Sequence, residues 1–527
     1  MLGEFLRRYL KFLWLVPALL LWGSFPPLAE KTDILFALAP LMYLTRHSGR
    51  RYPKEVALVW FLNGFAFYLA TLSWMPAIVK NGGPWPLVAL GMGALSAYCA
   101  LYFAAYGYLA TCVWDYVRGR SYWWRLLAIV VVEPVLWAGL EIVRSRFGGG
   151  FAWNQLGTVA VNAGFGAPAA LGGVYLLSML IVLVNGTLAG IAERVFRKGG
   201  TSLETILPLV IVFGTFELAK LAAPERREGE TIKVALVQRN FPCVFNPERE
   251  ENPQFVYSNL LTNVALLNPD LVVLSESAMA EFGRLDRNNA AMFAEWVREL
   301  TGAKAVIAGG TRVEKGRVYN SAGLFGEDGT DFYDKVHLVP FGEYIPGDKT
   351  FTALQKLAPV GSCTAGSLRL LGDFGVAICY EDTDSAQMRR LAEMGAKALV
   401  FITNDSWFSH SEEPVQHAWQ AVARAIETGL AVVRVGNSGV SGTIAPDGTA
   451  TWLVDAKGRM LLDRPGTMFD RITLDETPAT GGLTWYVRLG DKPIFIAFLL
   501  LIMAVFMVKY KRILEKIRLR RRYGSDE

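Results

Sequence analysis

The sequence predicts a polytopic α-helical membrane domain joined to a layered α/β domain, and three observations predict it. Charge is scarce and unevenly spread. Of 527 residues, 52% are hydrophobic and only 19% charged, against about 25% in an average soluble chain. The deficit is confined to residues 1–224 and 493–510. Second, apolar runs in those regions approach or exceed the roughly 20 residues that cross a bilayer. Third, residues 231–475 have a soluble composition, and short Val/Ile-rich runs alternate there with helical ones, the pattern of an α/β layered fold.

The apolar runs lie near 9–29, 33–45, 55–79, 86–113, 123–143, 168–191, 203–223 and 493–510, which gives about eight spans, the second being the shortest. The basic start of the first (Arg7, Arg8, Lys11) would also suit a signal peptide. No small-residue cleavage site follows, however, and further apolar runs do. With the N-terminus cytoplasmic, segments 1–8, 46–54, 114–122, 192–202 and the basic tail 511–527 face inward and carry Arg7, Arg8, Arg46, Arg50, Arg51, Lys54, Arg118, Arg120, Arg194, Arg197 and Lys198. The outward loops hold Lys31 and Lys80, with Arg144 and Arg146 opening the loop 144–167 as the exception. This asymmetry places both termini in the cytoplasm. Residues 231–475, between spans seven and eight, then face the periplasm of a Gram-negative cell. Glu133, Glu141 and Lys220 fall inside apolar runs, where an ionisable group is costly. Glu141 and Lys220 read as snorkelling from span ends.

In the α/β region, Thr231–Gln238, Leu271–Ser275, Ala303–Ala308, Val376–Tyr380, Ala398–Thr403 and Ala431–Val435 read as strands. Phe255–Leu267, Asn289–Leu300, Ser385–Met394 and Pro414–Thr428 read as helices. Asp447-Gly448, between two short β-like runs, marks a hairpin.

Several functions are disfavoured. Net charge is only +5, and no basic face with interleaved aromatics marks a nucleic-acid binder. The cysteines are Cys99, Cys112, Cys243, Cys363 and Cys379, with no CxxC, and there are four histidines. That set suits neither a structural zinc site nor a disulfide scaffold.

Reactive residue types stand at the ends of apolar strands. Leu271–Ser275 runs into Glu276, Val376–Ile378 delivers Cys379 followed by Tyr380 and Glu381, and Lys335 sits in Tyr333-Asp334-Lys335-Val336-His337-Leu338. Strand ends of α/β folds point into shared clefts. Together the three make an acyl-transfer set. A thiol needs deprotonation to attack, a carboxylate with a raised pKa can take that proton, and a lysine can stabilise the oxyanion. The residue types alone are a weak signal.

The order Glu276, Lys335, Cys379-Tyr380-Glu381 resembles the nitrilase (carbon-nitrogen hydrolase) superfamily. More narrowly, residues 333–346 (YDKVHLVPFGEYIP), 378–381 (ICYE), 403–408 (TNDSWF), 414–417 (PVQH), 423–427 (ARAIE) and 434–441 (RVGNSGVS) resemble the apolipoprotein N-acyltransferase family. The resemblance implies an αββα sandwich over 231–475, spans one to seven within 1–224 and an eighth span at 493–510. Glu276 would be the base, Lys335 the oxyanion partner and Cys379 the nucleophile. Glu343 would support Lys335, Tyr380 would offer its backbone N–H, and Glu381 would hold the nucleophile turn. Asn404, Trp407, Gln416, Arg424 and Asn437 would be structural or pocket-lining, and His337 and His417 would satisfy local hydrogen bonds. A membrane phospholipid would donate the acyl chain and a diacylglyceryl apolipoprotein would accept it, with no metal or soluble cofactor. The chain departs from the family pattern at Arg239, where a glycine is usual, and at Ser275, where a proline often precedes the base. Cys243 and Cys363 are a candidate periplasmic disulfide. The rival enzyme reading is a membrane-tethered amidase. The rival outside enzymology is a transporter or receptor with a degenerate domain.

Overall fold

The computed structural model describes residues 15–47, 53–196, 203–223, 228–241, 252–280, 282–283, 285, 287–327, 329–345, 362–476 and 482–523. The N-terminal arginines, Arg50, Arg51, Arg197, Lys198 and Cys243 lie outside them.

Helices α1 (Leu15–Gly23), α2 (Ala39–His47), α3 (Pro53–Thr71), α4 (Trp85–Val117), α5 (Tyr122–Arg144), α6 (Ala169–Phe196) and α7 (Leu203–Leu221) form the N-terminal bundle. A C-terminal helix, Lys492–Tyr523, returns to it. Phe498 of that helix packs against α5 where Gly139 has no side chain; a Cβ there would sit 2.2 Å from the ring. Four helices, Trp85–Val117, Tyr122–Arg144, Ala169–Val195 and Lys492–Lys511, are long and apolar enough to cross a membrane. Glu141 does not snorkel. It is buried and accepts from Trp137 Nε1 at 3.0 Å and Leu156 N at 3.1 Å. Glu133 is buried against Arg46 Nη2 at 2.7 Å. Lys220 is exposed and pairs with Glu217 one turn back on α7.

The α/β domain holds two sheets. The six-stranded one has the order β11-β1-β2-β3-β4-β5, and the five-stranded one β10-β9-β8-β7-β6. Their strands are β1 (Glu228–Gln238), β2 (Leu271–Leu274), β3 (Ala305–Glu314), β4 (Arg317–Gly326), β5 (Gly329–Asp334), β6 (Phe374–Ile378), β7 (Ala398–Thr403), β8 (Val432–Gly436), β9 (Gly442–Ile444), β10 (Ala450–Trp452) and β11 (Gly466–Asp475). The period-two alternation of a strand explains the layering. In β7, Ala398, Val400 and Ile402 join Val234, Val273 and Ile307 of the other sheet between the layers. Leu399 and Phe401 point the other way. Each such buried side chain contributes about 1.5–3 kcal/mol.

Helices α8 (Pro253–Ala265) and α9 (Arg287–Thr301) cover the outer face of the larger sheet. Helices α10 (Ser385–Glu393) and α11 (Glu413–Thr428) cover the smaller one. On this second side the core continues into the bundle, through Ala138, Ile142, Val174 and Tyr175. Helix α11 therefore lies between a sheet and a bundle, and every residue of it except Val415 is buried.

Candidate active site

Strand β2 ends at Leu274, and Glu276 follows two residues later. The turn can lie this close to β3 because residue 309 is glycine; a Cβ there would meet the Glu276 carbonyl oxygen at 2.2 Å. Strand β5 ends at Asp334 and delivers Lys335, whose side chain is 1% exposed. Its Nζ donates to Glu343 Oε1 at 2.9 Å and lies 3.9 Å from Glu276 Oε1. Glu343 is itself fixed, because Oε2 accepts from Val339 N at 2.8 Å.

Asn320 of β4, which no pattern in the sequence singles out, joins these groups. Its Nδ2 donates to Glu276 Oε1 and to Glu343 Oε1, both at 2.7 Å. Its carbonyl accepts from Lys335 N at 2.8 Å. An Asn on a strand facing Lys335 across an antiparallel pair is a cross-strand signal, visible only once the β4–β5 register is known.

Cys379 follows β6 with φ +53°, a left-handed conformation that a residue with a Cβ adopts at a cost of about 1–3 kcal/mol. Glu381 holds this turn. Its carboxylate accepts from Ile378 N at 2.9 Å, Val336 N at 2.7 Å, His337 N at 3.0 Å and the Tyr333 hydroxyl at 3.0 Å. One carboxylate thus ties the Cys379 turn to the backbone that follows Lys335.

The electrostatics follow from burial. Burial pushes the Glu276 carboxyl up; Lys335 and the Asn320 bond pull it down, and neighbouring Glu343 adds to the rise. Burial would lower the Lys335 pKa, but Glu343, Cys379, Glu276 and Glu381 outweigh it, so the ammonium stays charged. The Cys379 thiol is raised well above its usual value by burial and then by Glu276, with Lys335 acting against them. A resting thiol beside a carboxylate that readily takes a proton, next to a fixed cation, can carry out nucleophilic acyl chemistry.

Tyr380 and His337 face the bundle. The Tyr380 hydroxyl donates to Gly150 O and accepts from Ala152 N, both at 3.3 Å, and its ring stacks on Trp153 at 6.4 Å. His337 Nε2 pairs with Gly149 O at 3.0 Å. The hydrogen bond to Asp384 raises the imidazole pKa, against burial, which would lower it. Gln416 of α11 binds the bundle with both amide atoms. Oε1 accepts from Trp74 Nε1 at 3.3 Å and Trp153 Nε1 at 2.9 Å, while Nε2 donates to Pro26 O at 3.0 Å and Thr71 O at 3.3 Å.

A second charged cluster backs the site. His417 Nε2 lies 3.0 Å from Asp382 and Nδ1 2.9 Å from Asp405, and Arg434 reaches Asp382 at 2.5 Å and Asp405 at 3.4 Å. Burial opposes the charge on His417, yet the two aspartates push its pKa up to about 10. Burial pushes the nearby Glu413 well above the carboxylate range. Asp405, Glu413 and His417 approach one another as metal ligands do. The same aspartates pair with the Arg434 guanidinium and with the His417 ring, whose raised pKa favours its charged form.

Asn437 exchanges two 2.7 Å bonds with the Phe241 backbone and donates to Asn404 at 2.9 Å, which fixes the segment after Arg239. Arg424 and Glu427 form a buried pair at 2.8 Å. Trp407 accepts from Asn81 through its carbonyl at 2.9 Å. Cys363 is a free thiol whose N–H donates to Glu343 O at 2.8 Å.

A carbon-nitrogen hydrolase family model matches residues 233–467, and a model of the apolipoprotein N-acyltransferase N-terminal domain matches residues 17–187. The chain is similar along most of its length to curated proteins named apolipoprotein N-acyltransferase. That of Geobacter metallireducens is 31% identical over 497 residues, 89% of each chain. That of Shewanella oneidensis is 28% identical over 87% of this chain and 89% of its own. That of Haemophilus influenzae is 26% identical over 97% of each.

Proposed function

The chain belongs to the apolipoprotein N-acyltransferase family, and from that premise we propose how its residues carry out the transfer. Glu276 takes the Cys379 thiol proton as the sulfur attacks the carbonyl carbon of an acyl ester in a membrane phospholipid. The Lys335 ammonium and the Tyr380 backbone N–H stabilise the oxyanion. The intermediate collapses, the C–O bond breaks, Glu276 returns the proton to the leaving alkoxide, and a lysophospholipid departs from the Cys379 thioester. The α-amine of a diacylglyceryl-cysteine on an apolipoprotein then attacks the thioester. Glu276 accepts its proton, the C–S bond breaks, Glu276 returns the proton to the Cys379 sulfur, and the amide product leaves. Glu343 and Asn320 hold Lys335 and Glu276 in place, and Glu381 holds the Cys379 turn.

The observation that carries this reading is the gathering of Glu276, Lys335 and Glu343 on Asn320, beside a thiol whose pKa responds to both Glu276 and Lys335. Anchoring the site on a membrane bundle suits substrates that are themselves held in lipid, since proximity replaces a diffusive encounter.

The organisation we infer has spans one to seven in 1–224, the catalytic domain in 231–475, an eighth span at 493–510 and a cytoplasmic tail at 511–527. The termini lie in the cytoplasm of a cell with an inner membrane and the catalytic domain in the periplasm. The excess of Lys and Arg in the segments assigned inward supports this orientation.

The test is the intact mass of the purified protein in mixed phospholipid micelles, with Cys379→Ala alongside. The expected result is one acyl adduct on the native chain, none on the variant, and discharge by a diacylglyceryl-cysteine peptide. An adduct discharged only by water would make the protein a hydrolase. No adduct with any phospholipid would end the thioester mechanism.

A further inference from the structure

The bundle carries a second polar site at the end remote from the catalytic domain. Helix α6 starts against that domain, where Val174 N donates to Glu427, and ends at a cavity lined by Glu193. The 19 residues between them rise about 28 Å at 1.5 Å each, close to the thickness of a bilayer's hydrocarbon core. The cavity therefore opens at the opposite membrane face.

Its volume is about 330 Å³, and Arg46, His47, Trp114, Arg118, Arg125 and Glu193 line it. At about 30 Å³ per water, it has room for a polyatomic group. Arg46 is the buried member, its side chain 2% exposed. Nη2 is used by Glu133 at 2.7 Å, and the guanidinium lies over the Trp114 ring at 4.7 Å. Nε and Nη1 are buried without a hydrogen-bond partner. Leaving such donors empty costs about 1–3 kcal/mol each. The α6 glycines make room for this head group; a Cβ at Gly186 or Gly190 would stand 3.1 or 3.4 Å from its nitrogens.

The surrounding charges are mostly spoken for. Arg46 pairs with Glu133, Arg125 with Glu193 at 3.1 Å, and Arg194 with Glu204. Arg118 has no carboxylate partner among the described residues and donates only to the Arg46 carbonyl, at 3.2 Å. The cavity thus has in its wall an Arg46 guanidinium with two unpartnered donors, and it carries a surplus positive charge with Trp114 as an apolar side. Planar guanidinium forks of this kind match the oxygens of a phosphate group.

We propose that this cavity is a phosphate-binding site, filled either by the headgroup phosphate of a phospholipid in the leaflet opposite the catalytic domain or by free phosphate. The site holds the far ends of α2, α4, α5 and α6 together by one shared anion.

The full-length protein tests this in two arms. In phospholipid-free maltoside micelles, melting is followed against inorganic phosphate at constant ionic strength set with chloride. In phosphatidylglycerol nanodiscs, phospholipid that stays bound after release into detergent is counted by native mass spectrometry. Arg46→Lys keeps the charge for Glu133 but lacks the free fork, and Arg118→Gln alters an exposed residue and leaves folding intact. Each is expected to weaken binding about tenfold, the loss of one charge-assisted hydrogen bond. A saturable rise in melting temperature with phosphate, lost in the variants, identifies free phosphate as the occupant. A retained phospholipid, lost in the variants, with no response to free phosphate identifies the headgroup. No binding in either arm, or binding that Arg118→Gln and a folded Arg46→Lys leave unchanged, overturns the proposal. If Arg46→Lys does not fold, Arg118→Gln decides alone.

Discussion

The catalytic domain buries two clusters of charge, and they are built to opposite ends. Around His417 and Arg434, cations and carboxylates alternate, and Asp382 and Asp405 each contact both cations. Around Lys335 a single cation faces two carboxylates, and it is bonded to one of them only. Glu343 takes the 2.9 Å contact while Glu276 stands at 3.9 Å. The first arrangement is neutralised and closed. The second leaves Glu276 with one hydrogen-bond donor, Asn320, near a thiol whose pKa it raises. A carboxylate held in this way is suited to taking a proton in the mechanism proposed above.

The sharpest way to break the contrast is to remove one cation from each cluster. Lys335→Ala is expected to slow thioester formation about 10³-fold, the upper range for losing one oxyanion-stabilising donor, with a smaller loss of stability because Glu276 and Glu343 keep 11% and 14% of their side-chain exposure. Single-turnover acylation followed by mass measures it. Arg434→Ala should do the reverse. It strands two buried aspartates, which costs about 3–5 kcal/mol, and should appear as a large fall in melting temperature in detergent. If Arg434→Ala melted like the native chain, the closed cluster would not be a structural one.

Asn320→Ala sharpens the picture inside the reactive cluster. The lost bond favours the charged form of Glu276, so its removal raises the Glu276 pKa. The acidic limb of the acylation rate should move to higher pH, with a fall of about tenfold at neutral pH, the worth of one hydrogen bond to a charged group. An unmoved limb would mean that Glu276 is not the base.

The mildest effect is expected at His337, on the rim. Its folded pKa lies above the usual value of about 6.5 because of Asp384. The stability it adds is therefore fully present below about 6.5 and fades as pH rises through the folded pKa. His337→Gln should lower stability at acidic pH by under about 1 kcal/mol, the ceiling for a partly exposed pair. The gap from the native chain should close in alkaline buffer.

Much of this site was legible in the sequence because the relevant residues end apolar strands. Glu276, Lys335 and Cys379 stand within two residues of β2, β5 and β6. Asn320 was not legible. Strand β4 carries Asn320 and Gly323, residue types depleted in strands, and the Asn matters only through a partner on the neighbouring strand. Strand β11 was passed over for a related reason; its faces are mostly half-exposed, and its apolar pattern is weak. Glu133 and Glu141 show the same limit in the bundle. Glu141 reads as a span end, and nothing local to Glu133 reveals that Arg46, 87 positions away, lies 2.7 Å distant.

Helix α11 also has a consequence for inheritance. Its two sides are written for different neighbours, one for the β-sheet and one for Trp74, Trp153 and the backbone at Pro26 and Thr71. A gene that exchanged only its catalytic half with a distant relative would have to bring a matching surface on three separate segments of the N-terminal bundle. Recombination between members of the family should therefore succeed only with near neighbours, and the two halves should descend as one unit. A catalytic half cut free for crystallography would likewise expose the side of a helix that has never met water.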